Sequence, residues 1–294
     1  MGERTGSGYP LACPVCERRL ERDYSTFRCP TGHTFDLAKE GYINLLPPQH
    51  RTRGVDGDEP VMLRARRRFL ETGHYLPLRS ATISMTARIL EARDFETSHD
   101  PRPPCVLEVG CGDGYYIGGL APQLPSSTDA VLLGADLSKH AAKVASKRYP
   151  VVLFFVADTN RRLYVEPNSV AVLLDVFAPR NPLEFARVLE PGGSALIAIP
   201  TDSHLAGLRN ELGLIGIQDD KEQRVLGRFS DDFTLESRLE IEFPIRLTPN
   251  AVQDLVEMGP NYWHRPTRSV PVIGTSVDTQ ASFVLLHLRK IRDA

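Results

Sequence analysis

The chain has no apolar stretch approaching the roughly 18 residues of a membrane-spanning helix, so it is read as having no membrane partner. Its first residues, 1–10, are polar and hold none of the apolar core of a secretory signal, and a cytoplasmic location is expected. Charge of either sign is not in excess: the net charge is −2, so any surface for nucleic acid must be local. Cysteine is scarce, and five residues in a cytosolic chain of 294 do not build a disulfide framework. What remains, 41% hydrophobic and 24% charged residues, is the make-up of an ordinary globule with room for one large or two modest domains.

Three of the cysteines cluster near the start. Cys13 and Cys16 are separated by two residues, and Cys29 follows after twelve, with His33 four positions on. Two tight turns joined by a short hairpin bring four soft ligands to the corners of a tetrahedron, the Cys3His pattern of a structural zinc site. A site closed by four protein ligands leaves no open position for catalysis. A segment this short buries little apolar surface, so metal binding supplies folding free energy. Residues 35–47 hold aromatic and aliphatic side chains for a small core, and Tyr42 and Phe35 have two readings, core packing or stacking on bases.

The run 106–116 (VLEVGCGDGYY) dominates the rest. An apolar strand that includes Glu108 ends in Gly110, Gly112, Asp113 and Gly114, a sharp turn into a helix. The next apolar run, 131–135, ends in Asp136, and an acid at that strand tip suits a ribose diol because a carboxylate accepts from both hydroxyls. The dinucleotide fingerprint G-x-G-x-x-G/A fails, since Tyr115 holds its third position. The spacing G-x-G-x-G, with an acid two residues ahead, resembles instead the first motif of class I S-adenosylmethionine (SAM) methyltransferases.

Strands and helices alternate onward: strands over 151–157, 170–176 and 195–199, helices over 139–149 and 183–189. Such alternation implies a parallel sheet covered by helices, with ligands beyond the C-terminal strand ends. Glu108, Asp136, Asp158 and Asp175 are expected on that edge, Asp158 to accept from an adenine amino group. Further on, helices are expected over 204–216, 221–229 and 249–258, and strands over 234–245 and 282–288.

Between the two units, residues 51–58 read as a polar connector, followed by a helix that starts near Asp58, has Pro60 near its first turn, carries Arg64, Arg66, Arg67 and Arg68 and is ended by residues 73–75. That charge run is either a solvated face or an RNA phosphate contact. A second helix is expected over 77–89. Tyr262 and Trp263 are open to stacking on a base or to packing. The organisation expected is a zinc-binding domain over 1–50, a basic helical linker over 51–104 and a SAM-binding α/β, Rossmann-like domain over 105–294.

The run 33–47 (HTFDLAKEGYINLLP) after the Cys3His knuckle, then 71–79 (ETGHYLPLR), then 106–116, resembles the bacterial 23S rRNA (guanine-N1)-methyltransferases. The resemblance spans nearly the whole chain. The runs 177–182 (FAPRNP), 220–222 (DKE) and 258–264 (MGPNYWH) are closer to the tylosin-resistance branch than to the enterobacterial one. It implies a SAM-dependent enzyme that methylates N1 of a guanine in a 23S rRNA hairpin, with macrolide resistance as its role, and a homodimer. It also implies that Tyr75 and His204 contact SAM. A small-molecule methyltransferase and an RNA-binding protein with a vestigial SAM fold are the alternative readings. Guanine N1 carries a proton, so either a base removes it or the carbonyl oxygen is polarised as it leaves. Asp175 is the expected base, a role that the resemblance does not assign.

Overall fold

The computed structural model describes residues 8–47, 57–93, 102–124, 128–218, 220–259, 261–264 and 274–291, with the side chains of 263 and 264 excluded. The connector at 51–56 and the Trp263 side chain therefore lie outside the described residues.

Apolar continuity explains the central strands. β5 (Cys105–Val109) and β8 (Val170–Val176) are buried at every position, as strands covered on both faces must be. Around them, β4 (Tyr42–Asn44), β6 (Val131–Asp136), β7 (Leu153–Val156), β9 (Leu189–Pro200), β10 (Phe233–Leu247) and β11 (Val277–Lys290) complete one eight-stranded sheet of order β10-β11-β9-β8-β5-β6-β7-β4. All neighbours from β9 to β4 run parallel, and β11 inserts antiparallel between β9 and β10. This is the Rossmann-like arrangement of the class I methyltransferases. Winding goes outward from β5 to β7, then returns to β8 on the other side of β5. The crevice at that reversal is where ligands of open α/β sheets bind. Residues 191–193 fall within β9, where the ladder skips: Val170 faces Leu189 and Val172 faces Ser194.

Two helices expected in a linker are part of the main body. α1 (Pro60–Glu71) and α2 (Leu76–Glu91) bury Phe69, Leu70, Leu78 and Leu90 in the core on one face of the sheet. α3 (Tyr115–Leu120) and α4 (Lys139–Arg148) follow β5 and β6, α4 capped by Ser138, whose hydroxyl accepts from the Ala141 amide. The remaining helices are α5 (Pro182–Val188), α6 (Ala206–Leu212), α7 (Lys221–Phe229), α8 (Pro249–Glu257) and α9 (Asn261–His264). α6 stops where Gly213 turns left-handed, shorter than the 204–216 expected. No helix among the described residues is long and apolar enough to cross a membrane.

The N-terminal unit is a small sheet of β1 (Glu21–Asp23), β2 (Thr26–Arg28) and β3 (Thr34–Asp36). It has no core of its own. Leu11, Leu20 and Phe27 pack into the cluster that also holds Leu107, Phe155 and Phe185 on the second face of the large sheet. The Ala12 amide donates to the Tyr164 carbonyl at 2.9 Å, and β4 extends the large sheet beside β7. A boundary at residue 50 thus does not coincide with a break in the packing. Tyr42 is 5% exposed and packs into the core on the first face, so of its two readings packing holds.

Candidate active site and zinc centre

The thiol sulfurs of Cys13, Cys16 and Cys29 and Nδ1 of His33 lie within 4.8 Å of one another. Cys16 and Cys29 sulfurs are 3.6 Å apart, and His33 Nδ1 is 3.6 Å from Cys13 and 3.3 Å from Cys29. Tetrahedral bonds of about 2.0–2.3 Å require edges close to these, so the four residues fit a zinc ion. The backbone completes the site. Val15 N–H donates to the Cys13 sulfur at 3.4 Å and His33 N–H to the Cys29 sulfur at 3.3 Å, which favours thiolates.

At the sheet reversal lies a cavity of about 730 Å³. Its floor is the glycine turn. Gly110, Gly112 and Gly114 take φ of 61°, 55° and 78°. At Gly110 the requirement is also spatial: a Cβ there would lie 2.5 Å from the Cβ of Ala178, in the loop after β8. Of the three, Gly110 faces the cavity; Gly112 and Gly114 shape the turn behind it. The Gly112 amide donates to Asp136 at 2.8 Å and the Ser138 amide to its other oxygen at 2.8 Å. Both oxygens are thereby fixed, each with a lone pair to spare. Burial raises the Asp136 carboxyl above its ordinary value, and the two amides oppose that rise.

Glu108 also lines the cavity, 2% exposed, and accepts from the Ile117 amide in the first turn of α3 at 2.9 Å. Burial pushes its carboxyl up to about 8. Asp113 reaches the wall but spends its carboxylate on Arg148 at 2.8 Å. Asp158 lines the far end, with Oδ1 accepting from the Asn160 amide and Oδ2 3.3 Å from Arg161.

Tyr75 and His204 meet across the cavity wall, Tyr75 hydroxyl to His204 Nε2 at 3.2 Å. The Ser282 amide donates to His204 Nδ1 at 3.2 Å, so Nδ1 is the acceptor and the ring proton sits on Nε2. Burial pushes this imidazole down to about 3, hence neutral. It donates to the Tyr75 oxygen and leaves the tyrosine proton for another acceptor. Burial raises the Tyr75 phenol, which therefore acts as a donor.

Two expectations need correction. Asp175 does not line the cavity: it is wholly buried, and Arg180 Nε lies 3.5 Å from it on the cavity side. A carboxylate sealed behind a guanidinium cannot reach a substrate proton. The arginines of α1 are not a free phosphate-binding face. Arg68 forks onto Asp254 at 3.0 and 3.1 Å, Arg66 pairs with Asp58 at 2.5 Å and donates to the Met258 carbonyl, and Arg67 pairs with Glu71 at 2.9 Å. Only Arg64 is exposed without a partner among the described residues. α8 supplies the acid of Arg68, far away in sequence. Reading residues in order also misses Phe177, Arg180 and Lys221, all on the cavity wall.

A family model described as the RlmA N-terminal zinc ribbon matches residues 11–53. A Streptomyces fradiae protein named 23S rRNA (guanine(748)-N(1))-methyltransferase is 36% identical over 255 residues, 87% of this chain and 86% of the relative. The chain belongs to the 23S rRNA (guanine-N1)-methyltransferases. A Micromonospora griseorubida relative, whose name gives 23S rRNA (guanine-N(1)-)-methyltransferase with no guanine number, is 36% identical over 293 residues, 96% of this chain and 97% of the relative. The Bacillus subtilis member YxjB is 26% identical over 281 residues, 92% of this chain and 93% of the relative. Across this family span, the zinc ribbon and the cavity occupy one continuous fold.

Proposed function

We propose that this protein transfers the methyl group of SAM to N1 of a guanine in a 23S rRNA hairpin, in the cytoplasm. The observation that carries the reading is the fixed Asp136 carboxylate beside the Gly110 turn, at the sheet reversal of a chain in this family. SAM supplies a methyl on a sulfonium, an excellent leaving group. Asp136 receives the ribose hydroxyls on its spare lone pairs. Glu108 faces the amino-acid end of the donor, and the Tyr75 proton is available to the donor carboxylate, with His204 holding the phenol in register. Asp158 meets the adenine amino group. Alignment supplies much of the rate, since transfer is an in-line displacement.

The ribbon offers the rRNA an outward aromatic that sequence order did not single out. Tyr24 is 75% exposed at the tip between β1 and β2, and Arg22 donates to its carbonyl. Stacking on an unpaired base and charge from the exposed Arg18 and Arg28 suit a hairpin loop. A paired target guanine is extruded into the cavity at a cost of a few kcal/mol. A second copy of the chain would widen the surface offered to the hairpin, and the role is macrolide resistance.

Mass spectrometry of 23S rRNA fragments from cells with and without the protein tests the reading. One added methyl on a guanine N1, present only with the protein, is expected, together with a raised tylosin tolerance. Unchanged fragments, with methyl incorporation into a nuclease-resistant small molecule, would overturn it.

A further inference from the structure

Asp175 poses the question. It is a carboxylate with no exposure, and neither oxygen accepts a side-chain hydrogen bond among the described residues. A buried acid left so is costly, and such groups persist where they serve another group. Its neighbour is Arg180, whose Nε is likewise buried without a hydrogen bond, 3.5 Å away. Lys221, the first residue of α7, is the second cation that feels Asp175, and it too faces the cavity. Two basic side chains thus stand over one buried acid; burial and then Arg180 lower the Lys221 amine, and Asp175 opposes that.

The loop that holds them is rigid. Pro179 and Pro182 fix the backbone on both sides of Arg180. Asn181 caps α5 and donates to the Asn160 carbonyl at 3.0 Å, while Arg228 of α7 donates to the Arg180 carbonyl at 2.9 Å. Ala178 abuts Gly110, so this loop is packed against the donor-binding turn. At its start Phe177 takes φ of 59° and stays 42% exposed on the cavity wall. A bulky residue in the left-handed region is strained, and strain of this kind gathers at functional sites.

Among the described residues, each acid on the cavity wall already has a partner. Asp136, Asp113, Asp158, Asp58 and Glu108 each hold a hydrogen-bond or ion-pair partner, and both nitrogens of His204 are engaged. On the same wall the Arg180 Nε has no hydrogen bond.

We propose, resting on the acceptor assigned above, that Arg180, backed by Asp175 and joined by Lys221, forms a cradle for the O6 carbonyl oxygen of the target guanine, with Phe177 as the face on which the base rests. The N1 proton passes to solvent water at the cavity mouth. The resulting guanine anion carries its charge largely on O6, where Arg180 and Lys221 receive it. The N1 electron pair then forms the bond to the methyl carbon as the carbon–sulfur bond breaks and its pair stays on sulfur. Guanine becomes neutral N1-methylguanine, and the donor leaves as the neutral thioether. Asp175 is a positioning residue: it fixes the guanidinium without touching the base. Burial raises its carboxyl to about 7, with Arg180, the Ala178 amide and then Lys221 drawing it back.

The test is single-turnover methylation of a target hairpin across a pH series by the full-length zinc-loaded protein, with mass spectrometry to confirm N1. Arg180→Ala is expected to slow the chemical step by ~100-fold or more, as loss of one oxyanion donor does. Its rising pH limb moves to higher pH, while calorimetric SAM affinity stays within about twofold. A hairpin carrying 8-azaguanine, whose N1 is more acidic, restores much of the lost rate. Arg180→Lys keeps the charge and loses less. Lys221→Met and Asp175→Asn shift the limb the same way by smaller steps. The cradle is overturned if Arg180→Ala loses equally on both bases with an unmoved limb, if SAM affinity falls with the rate, or if the rate is unchanged. Absence of N1-methylguanine from the wild-type reaction would instead overturn the acceptor assignment, and the cradle with it.

Discussion

Gly110 and Ala178 touch at the point where the donor turn and the loop after β8 meet: a Cβ on Gly110 would sit 2.5 Å from that of Ala178. The distance between the two halves of the cavity is therefore set by a missing methyl group. Gly110→Ala must either push Ala178 outward or abandon φ of 61°. The left-handed conformation alone costs roughly 1–2 kcal/mol for a residue with a side chain. The expected result is a lower melting temperature and SAM affinity reduced by about tenfold or more. A variant that binds SAM as tightly as the parent in calorimetry would show that the contact does not set the cavity.

With Glu108 facing the donor's ammonium as proposed, SAM binding is expected to depend on pH. Burial is the main cause of the Glu108 rise to about 8, Asp113 and Asp136 add to it, and the Ile117 amide and Arg79 oppose it. The free protein therefore holds a proton on Glu108 at pH 7, which an incoming ammonium displaces. Affinity is expected to climb as pH rises from about 6 to 8, with heats that differ between buffers of different ionisation enthalpy. For stability the sign is opposite. A raised carboxyl stabilises fully below the unfolded value near 4.5, and that contribution is lost as pH rises to about 8. Glu108→Gln should flatten this loss in thermal melts while weakening SAM binding. Identical heats in all buffers would refute the proton release.

The arginines of α1 divide by their partners. Arg66→Glu places a carboxylate beside Asp58 on the cavity wall, so SAM affinity and thermal stability should both fall. Arg64→Glu disturbs no contact in the described residues and should leave SAM binding intact. If Arg64 meets RNA phosphate, its hairpin affinity falls and the salt dependence becomes shallower by about one ion. Equal damage from the two changes would contradict the division.

Tyr24→Ala is expected to weaken hairpin binding by about tenfold, the scale of one lost base stack, with SAM affinity unchanged. Electrophoretic mobility of the hairpin complex reads this directly. Undiminished binding would move the RNA surface off the ribbon tip.

How far residue order alone carried the interpretation depended on range. β5 and β8 were legible because unbroken apolar runs are what doubly covered strands require. The place of Asp136 at a strand tip and the grouping of the four zinc ligands were legible because both depend on near neighbours. Arg66 and Arg68 were not, since Met258 and Asp254 lie 192 and 186 residues away. Asp175 was placed on the correct strand end, yet the strand's alternation turned it away from the cavity and toward Arg180. Phe177 gives no periodic signal, because its exposure follows from a strained backbone.

The pairing of Tyr42–Asn44 with β7 has a consequence for the life of the chain before it reaches its rRNA. This short segment covers what would otherwise be an open margin of the sheet, and the residues leading into it are held by metal. A newly made chain that has not captured zinc leaves the amides of Leu153–Val156 uncovered, a template for adhesion between molecules. Zinc scarcity should then be felt first as clumping of the enzyme during synthesis, ahead of any defect in methyl transfer.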